Sequence, residues 1–264
     1  MSDHAIQTKY DDGVLLVTLN RPHKRNAFDE AQWDGLADAL NRARGDDSVA
    51  VVVLTGAGDD FSSGQDLSAF GVAREPRGDG NATGFDGCVD AIFALDKPLL
   101  AAVKGVAVGG GATIAIASDI VYVGESLRLR LPFVSLGLVP EIASSYMLQS
   151  AIGRQRAAEL FYTAEWVSAE RALEVGLAAR ALPDEELLAA TLEKARQIAE
   201  WPVASLRATK RTLQVAHRAA IQAARHAEDD GMSIMANSPE NREAITAFLQ
   251  KRAPDFRQFR KREE

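Results

Sequence analysis

Gly109, Gly110 and Gly111 close one apolar run and open another, in Leu99-Leu-Ala-Ala-Val-Lys-Gly-Val-Ala-Val-Gly-Gly-Gly-Ala-Thr-Ile-Ala-Ile-Ala117. Glycines at a helix entrance cost conformational entropy. They are repaid when a phosphate, an oxyanion or another backbone must come close to bare N–H groups. A Walker-type phosphate loop needs a lysine and a hydroxyl residue directly after the last glycine, and Ala112-Thr113-Ile114 offers no lysine. A dinucleotide fingerprint also fits badly, because the glycines are contiguous and no acid follows at about 20 residues. Tight packing of a helix on a strand is the non-functional reading of the same residues.

A second exposed backbone donor is available in Phe61-Ser-Ser-Gly-Gln-Asp-Leu67, after the end of a strand. Two N–H groups from separate loops are the minimum for holding an enolate or a tetrahedral oxyanion, and losing one typically costs about 3 kcal/mol of transition-state stabilisation. Gln65 and Gly110 would supply that pair if the fold brings the loops together. Asp66 reads more simply as a helix cap than as an acid catalyst.

Between Ser126 and Ala158 the one acid is Glu141, in Gly137-Leu-Val-Pro-Glu-Ile-Ala-Ser-Ser-Tyr146. A carboxylate after Pro140, at the expected start of a helix among apolar residues, can be both positioned and desolvated. Burial would raise its pKa and a helix N-terminus would oppose the rise. Either way it can serve as a base toward an acidified C–H bond, although an acid in a first helical turn is also an ordinary structural feature. His4 and His23 sit in polar segments, and His217 and His226 have no metal-ligand partner at useful spacing. No metal site is expected. Ser144 and Tyr146 read as packing or supporting groups.

The elements that must position these residues follow a β/α alternation. Strands are expected at Gly13 to Asn20, Val49 to Thr55, Leu99 to Val103 and Ile120 to Val123, with a short extended segment at Leu177 to Leu182. A helix capped by Asp29 runs to Ala43, another spans about 85 to 95, and the chain is mainly helical from Glu141 onward. Amphipathic stretches at Ala204 to Ala224 and Arg242 to Arg252 form a C-terminal helical region. This divides the chain into a core over 1–200 and a helical region over 201–264.

The 264-residue chain has ordinary globular composition and a formal net charge of −7, which argues against nucleic acid as a partner. Its single cysteine, Cys88, excludes an intrachain disulfide or a cysteine zinc cluster. No run reaches the roughly 18 apolar residues of a membrane span and the N-terminus lacks a signal-like apolar stretch, so a cytoplasmic location is expected.

Leu19-Asn-Arg-Pro-His-Lys-Arg-Asn-Ala27, Val53-Leu-Thr-Gly-Ala-Gly-Asp-Asp-Phe-Ser-Ser-Gly-Gln-Asp-Leu67, Gly105-Val-Ala-Val-Gly-Gly-Gly111 and Ala247-Phe-Leu-Gln-Lys-Arg-Ala-Pro254 occur in that order. Together they resemble the crotonase superfamily, enoyl-CoA hydratase/isomerase. The resemblance implies an α/β fold with a crotonase-like ββα spiral core and a C-terminal helical trimerisation region. It implies an acyl-CoA substrate, no separate cofactor, and a homotrimer or dimer of trimers.

In such an enzyme the N–H groups of Gln65 and Gly110 form the oxyanion hole. The resemblance places Lys24, Arg25 and Ala27 near the CoA, and Ser63, Gln65, Asp66, Leu67 and Ser68 along its adenine and thioester. Gly110 and Phe133 join the substrate contacts, and Phe248 and Lys251 approach the adenosine end, where Lys251 could serve its own or a neighbouring subunit. The residues alone also allow Lys24, Arg25 and the basic tail to be simply solvated.

Hydratases of this kind use two glutamates, and the matching positions here hold Thr113 and Phe133, neither of which can manage a water as a carboxylate pair would. Pro140-Glu141, Ser144-Ser145-Tyr146 and Ser62-Ser-Gly-Gln-Asp-Leu67 resemble the Δ3,Δ2-enoyl-CoA isomerase branch, which implies Glu141 as a lone proton shuttle. The alternatives are a hydratase or thioester hydrolase of the same family, or an acyl-CoA-binding protein without catalysis.

Overall fold

A computed structural model describes residues 4–66 and 84–260 of the chain. Leu67 and Ser68, which the resemblance places at the CoA, lie outside the described residues, as does nearly all of the Gly71 to Gly84 loop.

The larger sheet has six strands in the order β1-β2-β3-β4-β6-β9. They are β1 Ile6–Asp11, β2 Val14–Leu19, β3 Val51–Gly56, β4 Leu99–Val103, β6 Ile120–Gly124 and β9 Arg180–Leu182. Only β1 runs antiparallel to its neighbour. The near-continuous apolar runs of β3 and β4 are what a parallel strand covered on both faces requires, and both are buried almost throughout. Helices α1 (Glu30–Gly45) and α2 (Gly84–Ala94) contribute Trp33, Leu36, Leu40, Cys88 and Ile92 to the main core. Helix α7 (Asp184–Ala199) covers the opposite face, where its Ala195 packs with Val51, Val53 and Leu100.

A smaller sheet of three strands orders β5 (Val106–Val108), β7 (Arg128–Arg130) and β8 (Val167–Ser168). Helix α3 (Gly110–Ala117) leaves β5 through the glycines, and seven of its eight residues are buried. An apolar helix of this kind, with no polar face, belongs in the interior. Beyond it lie α4 (Ser144–Ile152), α5 (Arg154–Thr163) and α6 (Ala169–Val175), and after α7 come α8 (Val203–Val215), α9 (Arg218–Met235) and α10 (Pro239–Leu249). No helix among the described residues is long and apolar enough to cross a membrane.

The predicted strands and early helices are present, and Asp29 caps α1 by accepting from Gln32 N at 2.9 Å. The strands β1, β5, β7 and β8 were not foreseen: β1 is nearly all exposed, and the others are too short to carry a periodic signal. The Ala204 to Ala224 stretch is two helices, broken at Ala216 and His217. Glu141 does not start a helix. It precedes α4 by a turn in which Ile142 and Ala143 both have left-handed φ, 56° and 53°.

Candidate active site

Backbone pairing zips three segments together at the predicted site. Ser62 N donates to Val106 O and Val108 N donates to Ser62 O, each at 2.9 Å, so the 61–66 segment runs alongside β5. On its other side Phe28 N donates to Gly64 O at 2.7 Å, and Asp66 N donates to Phe28 O at 2.8 Å. Gly64 is essential to this arrangement, because it has φ +84° and a Cβ there would lie 2.5 Å from Val108 O.

The same ideal Cβ position on Gly64 lies 3.4 Å from Gly110 N, which measures how closely the two loops converge. The Gln65 N–H takes no part in the pairing with Phe28, and the Gly110 N–H heads α3, where no intrahelical acceptor exists. Among the described residues neither N–H has an acceptor. Gln65 and Gly110 both line a cavity of about 1190 Å³ that also includes Ser63, Phe133, Glu141 and Phe248.

Buried side chains hold this backbone. Asn26, fully buried, donates to Ala57 O and Asp60 O at 2.9 and 2.8 Å, and Ser62 Oγ donates to Asn26 O at 2.8 Å. Trp33 stacks on Phe28 with ring centroids 4.0 Å apart and meets Phe85 edge-on at 5.1 Å. Its indole Nε1–H donates to Gln65 Oε1 at 2.9 Å, and a Cβ added to Gly110 would sit 3.2 Å from its ring. The Gln65 amide is thereby tied back against α1. Trp33 escaped the sequence reading because an aromatic on the buried face of a helix looks like ordinary core.

Across the cavity stands Glu141. Its Oε1 lies 3.2 Å from where a Cβ on Gly110 would be. Among the described residues no group donates a hydrogen bond to its carboxylate. Burial, and secondarily the negative Glu228 carboxylate, push its pKa up from 4.5 to about 7. The sequence reading expected a helix N-terminus to oppose this shift. That place is taken instead by Glu228 of α9, which accepts from Ala143 N and Ser145 N at 2.7 and 2.8 Å. Glu228 was missed because one acid on an exposed-looking amphipathic helix carries no local signature.

The other predicted residues are placed as follows. Thr113 is buried and its hydroxyl donates to Gly110 O at 3.2 Å, turned into α3 rather than toward substrate. Phe133 is buried beside Phe161 and lines the cavity. Asp66 forms ion pairs with Arg21 at 3.1 Å and with Lys24 at 3.9 Å, while Arg25 lies 3.6 Å from Asp60. Lys24 and Arg25 are exposed and Ala27 is buried, and none of the three lines the cavity. Lys251 is exposed past the end of α10, where Arg252 rather than Lys251 reaches the cavity. Tyr146 and His217 hydrogen-bond each other at 2.7 Å, and among the described residues the buried Ser144 hydroxyl has no hydrogen-bond partner. No cluster suited to a metal occurs among the described residues.

The family model for enoyl-CoA hydratase/isomerase matches residues 9–260. The chain is 34% identical to a 1,2-epoxyphenylacetyl-CoA isomerase of Escherichia coli (strain K12), over 95% of this chain and 97% of that one. It is also 34% identical to a 2,3-dehydroadipyl-CoA hydratase of the same organism, over 92% and 95% of the two chains. The crystal structure of an enoyl-CoA hydratase/isomerase from Pseudoalteromonas atlantica T6c superposes with a TM-score of 0.91 at 34% identity, covering 96% of this chain and 99% of the other.

Proposed function

The chain belongs to the enoyl-CoA hydratase/isomerase family, and from that premise we propose that it converts 3-enoyl-CoA to 2-trans-enoyl-CoA, with Glu141 as the proton shuttle. As a family member with the crotonase fold it is an acyl-CoA enzyme. The observation that carries the finer reading is the placement of one carboxylate: Glu141 Oε1 lies 3.2 Å from where a Cβ on Gly110 would be, while the positions to which the resemblance assigns a hydratase's two glutamates hold the buried Thr113 and Phe133.

In this reading the thioester oxygen accepts hydrogen bonds from Gln65 N–H and Gly110 N–H. Glu141, ionised, removes a proton from C2. The C2–H electron pair becomes the C1–C2 double bond of an enolate whose negative oxygen sits between the two N–H groups. Collapse of the enolate forms the C2–C3 double bond, the former C3–C4 π pair takes the proton back from Glu141 at C4, and the carboxylate is restored. No water is consumed, so one carboxylate suffices. A pKa near 7 suits the task, because the group must both take and return a proton at neutral pH.

Ser63 and Asp66 flank Gly64 and Gln65 in the segment assigned to the thioester, and Lys24, Arg25, Phe248 and Lys251 are assigned to the CoA end. The exposed apolar side chains Leu213, Val215 and Ile234 on α8 and α9 support assembly into a trimer or dimer of trimers. Sedimentation of the purified chain tests that assignment: a trimer or hexamer is expected, and a monomer would contradict it. The function itself is tested by supplying 3-enoyl-CoA and 2-trans-enoyl-CoA side by side. Isomerisation of the first without hydration of the second is expected; hydration as the faster reaction would overturn the reading.

A further inference from the structure

Glu228 is a charged side chain only 5% exposed. It is eighty-five residues from Ala143 in sequence, yet it binds the turn that presents Glu141. Its two oxygens accept from N–H groups on either side of Ser144 at the entrance to α4, Ala143 N at 2.7 Å and Ser145 N at 2.8 Å, while Ser144 N donates to Glu141 O at 3.0 Å. Ala143, the residue at the N-cap, has no side chain that could do this. The cap of α4 therefore comes from another helix.

The turn itself is unfavourable. Ile142 and Ala143 are consecutive non-glycine residues with left-handed φ, and the β-branched side chain of Ile142 makes the first of them especially costly. Strain of this kind persists where surrounding groups over-determine it. Pro140 fixes the chain before the turn, and the Glu228 carboxylate fixes it after. Between these two anchors Glu141 has its direction set toward Gly110.

We infer that Glu228 is a positioning residue: it clamps the Glu141 turn through the Ala143 and Ser145 N–H groups, and so makes the docking of α9 part of the assembly of the active site. The inference rests on Glu141 being the proton shuttle. It gives the C-terminal helical region a role in catalysis separate from subunit contact.

A second consequence concerns charge. The charged groups lining the cavity, besides Glu141 and Glu228, are Glu30, Asp86, Asp229, Arg130, Arg225 and Arg252. The three arginines are engaged elsewhere: Arg225 with Asp90 at 2.6 Å, Arg252 with Glu243 at 2.9 Å, and Arg130 Nε with Ala164 O at 2.6 Å. Glu228 is the charge that acts on Glu141 and raises its pKa, whereas burial and Asp229 raise Glu228 itself against the pull of the Ser145 and Ala143 N–H groups. Removing the Glu228 charge must therefore lower the Glu141 pKa.

The test compares Glu228→Gln with Glu141→Gln in the full chain, by following kcat and KM for 3-enoyl-CoA across pH. Glu228→Gln is expected to lose about tenfold in kcat with KM nearly unchanged, from misdirection of the carboxylate. The acidic limb of its kcat/KM profile should move to lower pH, since a negative neighbour has gone. Should Glu228→Gln fail to fold, Glu228→Asp keeps the charge and shortens the reach: kcat should fall with the acidic limb in place. An inactive Glu141→Gln beside a Glu228 variant with unchanged kcat and profile would overturn the positioning role and leave the shuttle intact. An active Glu141→Gln would overturn both.

Discussion

The two sides of the cavity are built in opposite ways. The side proposed to hold the oxyanion is backbone: Gln65 and Gly110 present N–H groups from segments laced together by main-chain hydrogen bonds. The acid side is a single side chain on a strained turn, held by a carboxylate from a distant helix. Backbone sites are demanding about shape, since they need glycine where chains touch. Side-chain sites are demanding about distant packing and charge. Damage to the first should abolish anion binding outright, whereas damage to the second should change proton affinity and direction.

On the backbone side the largest effect is expected from Gly64→Ala. The new Cβ would lie 2.5 Å from Val108 O at a φ of +84°, so the segments must separate. A loss of about 10²-fold to 10³-fold in kcat is expected, the size seen when an oxyanion donor is removed. Steady-state kinetics on folded protein, checked by circular dichroism, measures it.

A second effect of opposite sign is expected on the acid side. Glu141 has a folded-state pKa raised to about 7, so the native state binds its proton more tightly than the unfolded chain. Its contribution is therefore unfavourable once it ionises, and stability is lost as pH rises from its ordinary value toward 7. Glu141→Gln should be more stable than the parent at pH 8 by up to about 3 kcal/mol, with the advantage vanishing below pH 4.5. Thermal melts at several pH values check this. Activity that depends on a destabilising group is the expected exchange.

Trp33→Phe probes the join between α1 and the oxyanion loop. It removes the donor to Gln65 Oε1 and leaves the ring contacts largely in place. A cost of about 1 kcal/mol, or several-fold in kcat with little change in KM, is the ordinary value of such a hydrogen bond. The smallest effect on turnover belongs to Gly109→Ala, because a Cβ there meets nothing within 4 Å. Its φ of +52° and ψ of −121° lie outside the left-handed region open to alanine, so a melting shift equivalent to about 1–3 kcal/mol is expected from backbone strain alone.

The same contrast explains what could be read from the sequence. Gln65 and Gly110 were legible because close backbone approach leaves glycines in fixed local patterns, and the long buried strands β3 and β4 because parallel interior strands are apolar throughout. Glu141 was legible as the one acid in an apolar stretch, but its setting was not. Pro140 suggested a helix start, whereas Ile142 and Ala143 adopt a conformation that no local rule favours for those residue types. Glu228 and Trp33 act through tertiary contacts to Ser145 and Gln65, and nothing in their immediate neighbours distinguishes them from an ordinary surface acid and an ordinary core aromatic.

The measurement that bears most directly on the account is turnover of 3-enoyl-CoA by Glu141→Gln, paired with its binding of the same thioester. Conversion to the 2-trans isomer should disappear while the ligand still binds, because Gln65 N–H and Gly110 N–H are untouched. Turnover at the parent rate with Gln at 141 would contradict it.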